Sequence, residues 1–120
     1  MSNGVAPIQE IEQFLTQIKR EVVKAHWFHF MHRSKNVTCL TNLGLNVEAA
    51  RNEILSLTYR DYDRGPLPND AGSGHIWEFI REIDGTSVYI KLKLDPPRGC
   101  VCLSFHESSG PVSLPYGCGV

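Results

Sequence analysis

The sequence carries almost no net charge. Its 12 basic and 13 acidic side chains leave −1 at pH 7, so nothing pulls the whole molecule toward nucleic acid or a membrane, and any anion-binding surface has to be a local patch. It also lacks a long apolar run, since a bilayer span needs about 20 such residues. The start, MSNGVAPIQE, has neither the charged head nor the apolar middle of a secretory signal. A cytoplasmic protein with no membrane partner is expected. Among its cysteines, Cys39, Cys100, Cys102 and Cys118, there is no CxxC pair. This argues against a zinc ribbon or a thioredoxin-like redox site and for reduced, partly buried thiols. Internal repeats are absent as well.

What is present suits one domain. A chain of 120 residues, 42% hydrophobic and 21% charged, can bury a real core but is too short for two. Ile8, Ile11, Leu15, Ile18, Val22 and Ala25 recur at helical spacing, with Glu10, Glu12, Gln17, Lys19 and Lys24 between them. This predicts an amphipathic helix from about Pro7 to Ala25. NVTCLTNLGL reads as a short helix ended by Gly44, and Asn46 can cap a further helix, VEAARNEILSL. Thr58 and Asp61 have the spacing of a capping box over one more turn. RGPLPNDAGSG has the composition of a loop. IWEFIREI, TSVYIKLKL and CVCLSFHE then read as three strands, joined by Asp84-Gly85 and by DPPRG. The expected single domain, 1–120, has a helical part at about 7–63, a linking loop at 64–75, a β-meander at 76–107 and an irregular tail at 108–120. Its class is α+β, with N-terminal helices packed on one face of a C-terminal antiparallel sheet.

Alternation along the strands says which side chains share a face. Val88, Ile90, Leu92 and Leu94 oppose Tyr89, Lys91 and Lys93, while Val101, Leu103 and Phe105 oppose Cys102, Ser104 and His106. A two-residue Asp84-Gly85 turn pairs Glu78 with Lys91, Phe79 with Ile90 and Ile80 with Tyr89. A four-residue loop, Pro96 to Gly99, sets Asp95 opposite Cys100, Ser104 opposite Lys91 and His106 opposite Tyr89. Phe79, Ile90 and Phe105 then meet in the core, and Glu78, Tyr89, Lys91 and His106 gather on the face away from the helices.

A solvated sheet face with a Glu–Lys cross-strand pair would account for any two of these residues. All four together form a set suited to acid–base chemistry beside an anionic group. RNA cleavage within the chain needs one group to take the 2′-OH proton, another to protonate the departing 5′ oxygen, and cations around the phosphorane. Imidazole, with an ordinary pKa of about 6.5, can serve either proton-transfer role. A lysine supplies fixed charge, a tyrosine a hydroxyl for a phosphate oxygen, and an ionised carboxylate a base or an orienter of the imidazole. These roles call for no metal or other cofactor.

The runs LGLNVEAARNEILSLTYRDYDRGPLPND, IWEF, EIDGTSVYIKLKL and CLSFHES resemble the MqsR family of bacterial toxins, from about Lys19 to His106, with echoes in PVSLPY. The resemblance implies a RelE-like fold (the RelE/ParE-like architecture), mRNA-interferase activity and a cognate antitoxin partner. It also implies active-site roles for Arg64, Glu78, Tyr89, Lys91 and His106. Some relatives have glutamine where Glu78 stands and lysine where His106 stands, so the division between acid, base and phosphate clamp can differ here.

AHWFHFMHRSK places three histidines three residues apart. On a helix they spread over about 120°, and on a strand His29 points away from His26 and His32. A zinc site would therefore need outside ligands such as Cys100 or Cys102. Core packing accounts better for Trp27, Phe28, Phe30 and Met31, in an edge strand after the first helix. Lys24, His26, Arg33 and Lys35 then border a single-stranded RNA surface, which Lys93 extends. The function expected is a metal-independent endoribonuclease acting on single-stranded mRNA, the toxin of a toxin–antitoxin pair. A non-catalytic RNA- or protein-binding module of the same fold, a metal phosphoesterase and a gyrase-directed protein of RelE-like fold are the competing readings.

Overall fold

The computed structural model describes residues 5–24, 28–68, 74–95 and 98–117. Its first helix, α1 (Ile8–Val23), buries Ile11, Leu15, Ile18 and Val22 of the expected stripe and adds Phe14, while Ile8 is exposed and Ala25 lies outside the described residues. Pro7 stands just before it as N-cap, where the missing N–H costs nothing. A short strand, β1 (Phe28–Phe30), follows. Helix α2 (Ser34–Leu43) ends at Gly44 in the left-handed conformation, and α3 (Val47–Leu55) is capped by the Asn46 side chain on the Ala49 amide. Thr58 and Asp61 form the expected capping box, over a 3₁₀ turn at Tyr59–Asp61.

Four more strands complete a five-stranded sheet. They are β2 (Tyr62–Pro68), β3 (His75–Ile83), β4 (Thr86–Asp95) and β5 (Gly99–Glu107), in the spatial order β1-β5-β4-β3-β2. The fold is α+β, with the helices N-terminal to most of the sheet. The sheet is mixed rather than purely antiparallel, because β1 runs parallel to β5, its connection passing through α2, α3 and the first three antiparallel strands. The core lies between α1 and one sheet face: the Phe14 ring stacks on Trp77 at 4.6 Å and lies 6.2 Å from Phe79. Phe79, Val88, Ile90, Leu92 and Phe105 are fully buried there, each contributing roughly 1.5–3 kcal/mol by leaving water.

In the stretch expected to be a linking loop at 64–75, the described residues other than Gly74 are strand. β2 occupies Tyr62–Pro68, β3 begins at His75, and the helical part stops short of 63. Proline in the run argued for a loop, yet an edge strand tolerates missing donors, and β2 is the edge of the sheet. Gly65, at φ 131°, is needed for close approach. A Cβ there would meet the Ile76 carbonyl at 2.9 Å and the Trp77 Cα at 3.0 Å.

The β3–β4 register is the one expected: Glu78 opposite Lys91, Phe79 opposite Ile90, Ile80 opposite Tyr89. Asp84 and Gly85 both take positive φ, 51° and 79°, as a two-residue hairpin turn requires. The second hairpin departs from expectation near its turn, where Asp95 pairs with Gly99 and Leu92 with Cys102. A bulge between Lys91 and Leu92 then restores Lys91 opposite Ser104 and Tyr89 opposite His106, leaving Leu103 as the extra residue. Below the bulge the faces are therefore reversed. Cys100 and Cys102 join the core, while Val101 lies opposite Lys93. Cysteine packs as a small hydrophobe, so the polar–apolar pattern gave the wrong parity there. Burial raises the pKa of the Cys100 thiol to about 12 and pushes those of Cys102 and Cys39 up as well.

Asn36 closes the edge of β5 beyond the end of β1. Its amide nitrogen donates to the Met31 and Leu103 carbonyls at 2.8 and 3.2 Å, and its oxygen accepts from the Phe105 amide at 3.0 Å. On β5 it thus satisfies the carbonyl of the bulged residue and the amide two residues beyond it. Replacing Asn36, which is 1% exposed, with alanine should lower unfolding free energy by about 2–3 kcal/mol in urea titrations. A change below about 1 kcal/mol would contradict this role.

Candidate functional site

The face of the sheet away from α1 carries the polar cluster. β3 supplies Glu78, β4 Tyr89 and Lys91, and β5 Ser104 and His106. Because each pair sits directly opposite across the ladder, the cluster follows from register and alternation. β2 adds Arg64, paired with Glu78 after an irregularity that follows Tyr62.

Glu78 is the centre of the arrangement. Its residue is 4% exposed, and a buried carboxylate is costly unless partnered. One oxygen receives Arg64 Nε at 3.0 Å and Nη2 at 2.9 Å, and the other accepts the Tyr89 hydroxyl at 2.7 Å. Desolvation first, and the bond to Glu78 second, push the Tyr89 pKa well above its ordinary value. The phenol is thereby held protonated, as a donor rather than a base. The hydrogen bond and charge of Glu78 likewise raise the Arg64 pKa.

His106 is half-buried, its ring 5.3 Å from that of Tyr89. Its Nδ1 lies 3.1 Å from the Glu107 carbonyl. With that nitrogen as donor, Nε2 carries the free lone pair. The orienting group is therefore a backbone carbonyl, where a carboxylate, Glu78, had been the candidate. Lys91 lies over the Tyr89 ring, its Nζ 5.8 Å from the centroid.

A cavity of about 450 Å³ opens over this face, with Asp63, Arg64, Glu78, Tyr89 and His106 in its wall. The tail segment from Ser108 to Ser113 forms the opposite side. Asp63, 7% exposed, accepts the Ser113 and Leu114 amides at 2.6 and 3.0 Å, and Tyr116 donates to the Ala6 carbonyl at 2.8 Å. These anchors place a tail for which proline and glycine content allowed one edge strand at most. The described tail residues form no strand. Neither the tail wall nor Asp63 was recognised from sequence, and only the acidic residue before Arg64 offered a clue.

The flanking residues divide. Arg33 and Lys35 line a second cavity together with Ser104 and His106, so they do border the site. Lys93 is on the expected face but only 9% exposed. Lys24 pairs with Glu21 at 3.2 Å at the end of α1, and α1 packs against the other side of the sheet from Glu78, so Lys24 is not brought to the site. His26 and Trp27 lie outside the described residues. Phe28 and Phe30 pack on the core, whereas His29 and His32 are exposed. Among the described residues no group of three or more His, Cys, Asp or Glu side chains converges as a metal site would. No described helix is long and apolar enough to cross a membrane. Comparison with known proteins finds no matching family model, curated protein or solved structure.

The raised Tyr89 pKa has a sign that can be measured. The native state keeps a proton that the unfolded chain releases near pH 10, so stability is full below that pH and falls as pH rises above it. In unfolding titrations between about pH 10 and 11, Tyr89→Phe should flatten this decline, with Tyr62, whose pKa is also raised by burial, accounting for part of the remainder. An unchanged slope in Tyr89→Phe would contradict the pairing with Glu78.

Proposed function

We propose that the protein is an endoribonuclease that cleaves single-stranded mRNA by 2′-OH attack without needing a metal. We further propose that it is the toxin of a type II toxin–antitoxin pair, acting in the cytoplasm and held in check by a cognate antitoxin, as the resemblance to MqsR toxins and their RelE-like fold implies. The observation that carries the reading is the convergence of Arg64, Glu78, Tyr89, Lys91 and His106 on one sheet face, four of them lining one open cavity.

In this reading the 2′ oxygen gives up its proton and bonds to phosphorus while the bond from phosphorus to the 5′ oxygen breaks. The products are a 2′,3′-cyclic phosphate and a 5′-hydroxyl. His106, through Nε2, is the main proton-transfer residue and, as imidazolium, gives the departing 5′ oxygen its proton when Glu78 takes the one from the 2′-OH. Glu78 is the second base once a phosphate draws Arg64 or Tyr89 toward itself. Until then it keeps both in place as aligned donors. Lys91 and Arg64 offset the charge that builds on the phosphorane, and the protonated Tyr89 hydroxyl positions a non-bridging oxygen.

Both oxygens of Glu78 are already engaged, which favours one second reading: the same face binding RNA or a protein without turnover. That module would bind RNA in a salt-sensitive way and leave it intact. For the nuclease, purified protein in excess EDTA should cut single-stranded RNA to 2′,3′-cyclic or 3′-phosphate ends. His106→Ala should slow the cut by at least about 100-fold. RNA left whole by the wild type, or full activity in His106→Ala, would overturn the proposal.

A further inference from the structure

The N-terminus of α2 is built with charges of the wrong sign for a helix start. Its N-cap is Arg33, which provides no capping hydrogen bond, and its first turn holds no acidic residue but does hold Lys35. Helix starts favour a side-chain acceptor and negative charge, and α3 in the same chain has both, with Asn46 and Glu48. The Val37 amide returns to the Arg33 carbonyl at 3.0 Å, leaving the amides of Ser34, Lys35 and Asn36 as the free donors of the first turn. The Asn36 side chain is committed to β5 and cannot serve them.

A second feature of this spot points independently to a ligand. Ser104 is 5% exposed, and among the described residues its hydroxyl has no hydrogen-bond partner. Among the described residues no buried side-chain polar atom is sealed away unsatisfied, so this hydroxyl opens onto space. That space is the cavity of about 360 Å³ that Ser104 lines with Arg33, Ser34, Lys35, Asn36 and His106. Among the described residues no acidic side chain lines it. Glu107 lines the neighbouring cavity instead. Free helical amides, two cations and a buried unpaired hydroxyl form a cradle for a tetrahedral anion.

We propose that this pocket binds an RNA phosphate adjacent to the one cleaved, so that the strand passes His106 and is gripped by α2. The inference rests on the nuclease reading for its ligand but not for its chemistry. His106 lines both this cavity and the one over Glu78, so the two phosphate positions share its imidazole as a common wall. Arg33 and Lys35 are thereby assigned to a particular phosphate rather than to a diffuse basic rim.

The test titrates inorganic phosphate into ¹⁵N-labelled full-length protein and, separately, a 2′-O-methyl oligonucleotide that cannot be cut. Both should give saturable shifts at the Ser34, Lys35 and Asn36 amides. Arg33→Ala/Lys35→Ala should weaken phosphate binding by about tenfold or more, and Ser104→Ala by about threefold to tenfold, in variants whose remaining spectrum is unchanged. A neutral methylphosphonate next to the cleaved position should cost the wild type about tenfold in affinity and cost the double variant little. Shifts confined to Arg64, Glu78 and Tyr89, or equal binding by the double variant, would overturn the pocket. RNA cleavage with no response at 34–36 would overturn the pocket and leave the nuclease standing. Phosphate binding there without cleavage would support the pocket and overturn the nuclease. Phosphate binding with no methylphosphonate effect would overturn its assignment to RNA.

Discussion

A buried carboxylate must be answered, and in this molecule the answer to Glu78 organises everything around it. Arg64 reaches it from β2 and Tyr89 from β4, so three consecutive strands are tied at one point on the face opposite α1. Burial makes each of these bonds stronger than it would be in water, and makes the loss of either one expensive. The same pairing keeps the Tyr89 phenol protonated and holds the Arg64 guanidinium, otherwise exposed, in a fixed place. Donors held in this way need little reorganisation when an anionic group arrives. Structure and proposed chemistry therefore share one element, the neutralised carboxylate.

The opposite edge of the site depends on a different device. The Leu103 bulge shifts β5 by one residue, and without it the residues opposite Lys91 and Tyr89 would be Leu103 and Phe105. Asn36 replaces a missing neighbour strand for the backbone groups at Leu103 and Phe105. α2 is thus held against β5 where its free N-terminal amides approach Ser104 and His106. One buried amide side chain links the strand irregularity to the cationic pocket beside it.

Much of this was legible in the order of residues, and the misses have physical reasons. Asp84-Gly85 between alternating runs leaves one sensible hairpin, so Glu78 opposite Lys91 could be read directly. Gly44, Asn46 and the Thr58/Asp61 pair mark helix boundaries because each satisfies a specific backbone need. His106 opposite Tyr89 was reached by two compensating errors, a turn one residue too long and a bulge not foreseen. Sequence patterns rarely announce a bulge, since it shows only as a change of parity. Cys100 and Cys102 concealed that change by counting as neither clearly polar nor clearly apolar. β2 was hidden by its prolines and by Gly65, which an edge position tolerates or requires. Asp63 and the tail wall come from contacts across 50 residues, beyond any local signal.

The central claim is that the phosphate to be cleaved sits on this polar sheet face among His106, Lys91 and Arg64. The most direct measurement is a crystal structure with an RNA oligonucleotide carrying a single 2′-deoxy sugar at the cleavage position, which binds but lacks the attacking hydroxyl. The account predicts its phosphate within hydrogen-bonding reach of His106 Nε2, with a non-bridging oxygen on Tyr89 or Arg64. Density for the strand on the helical side of the molecule, or a phosphate remote from His106, would contradict it.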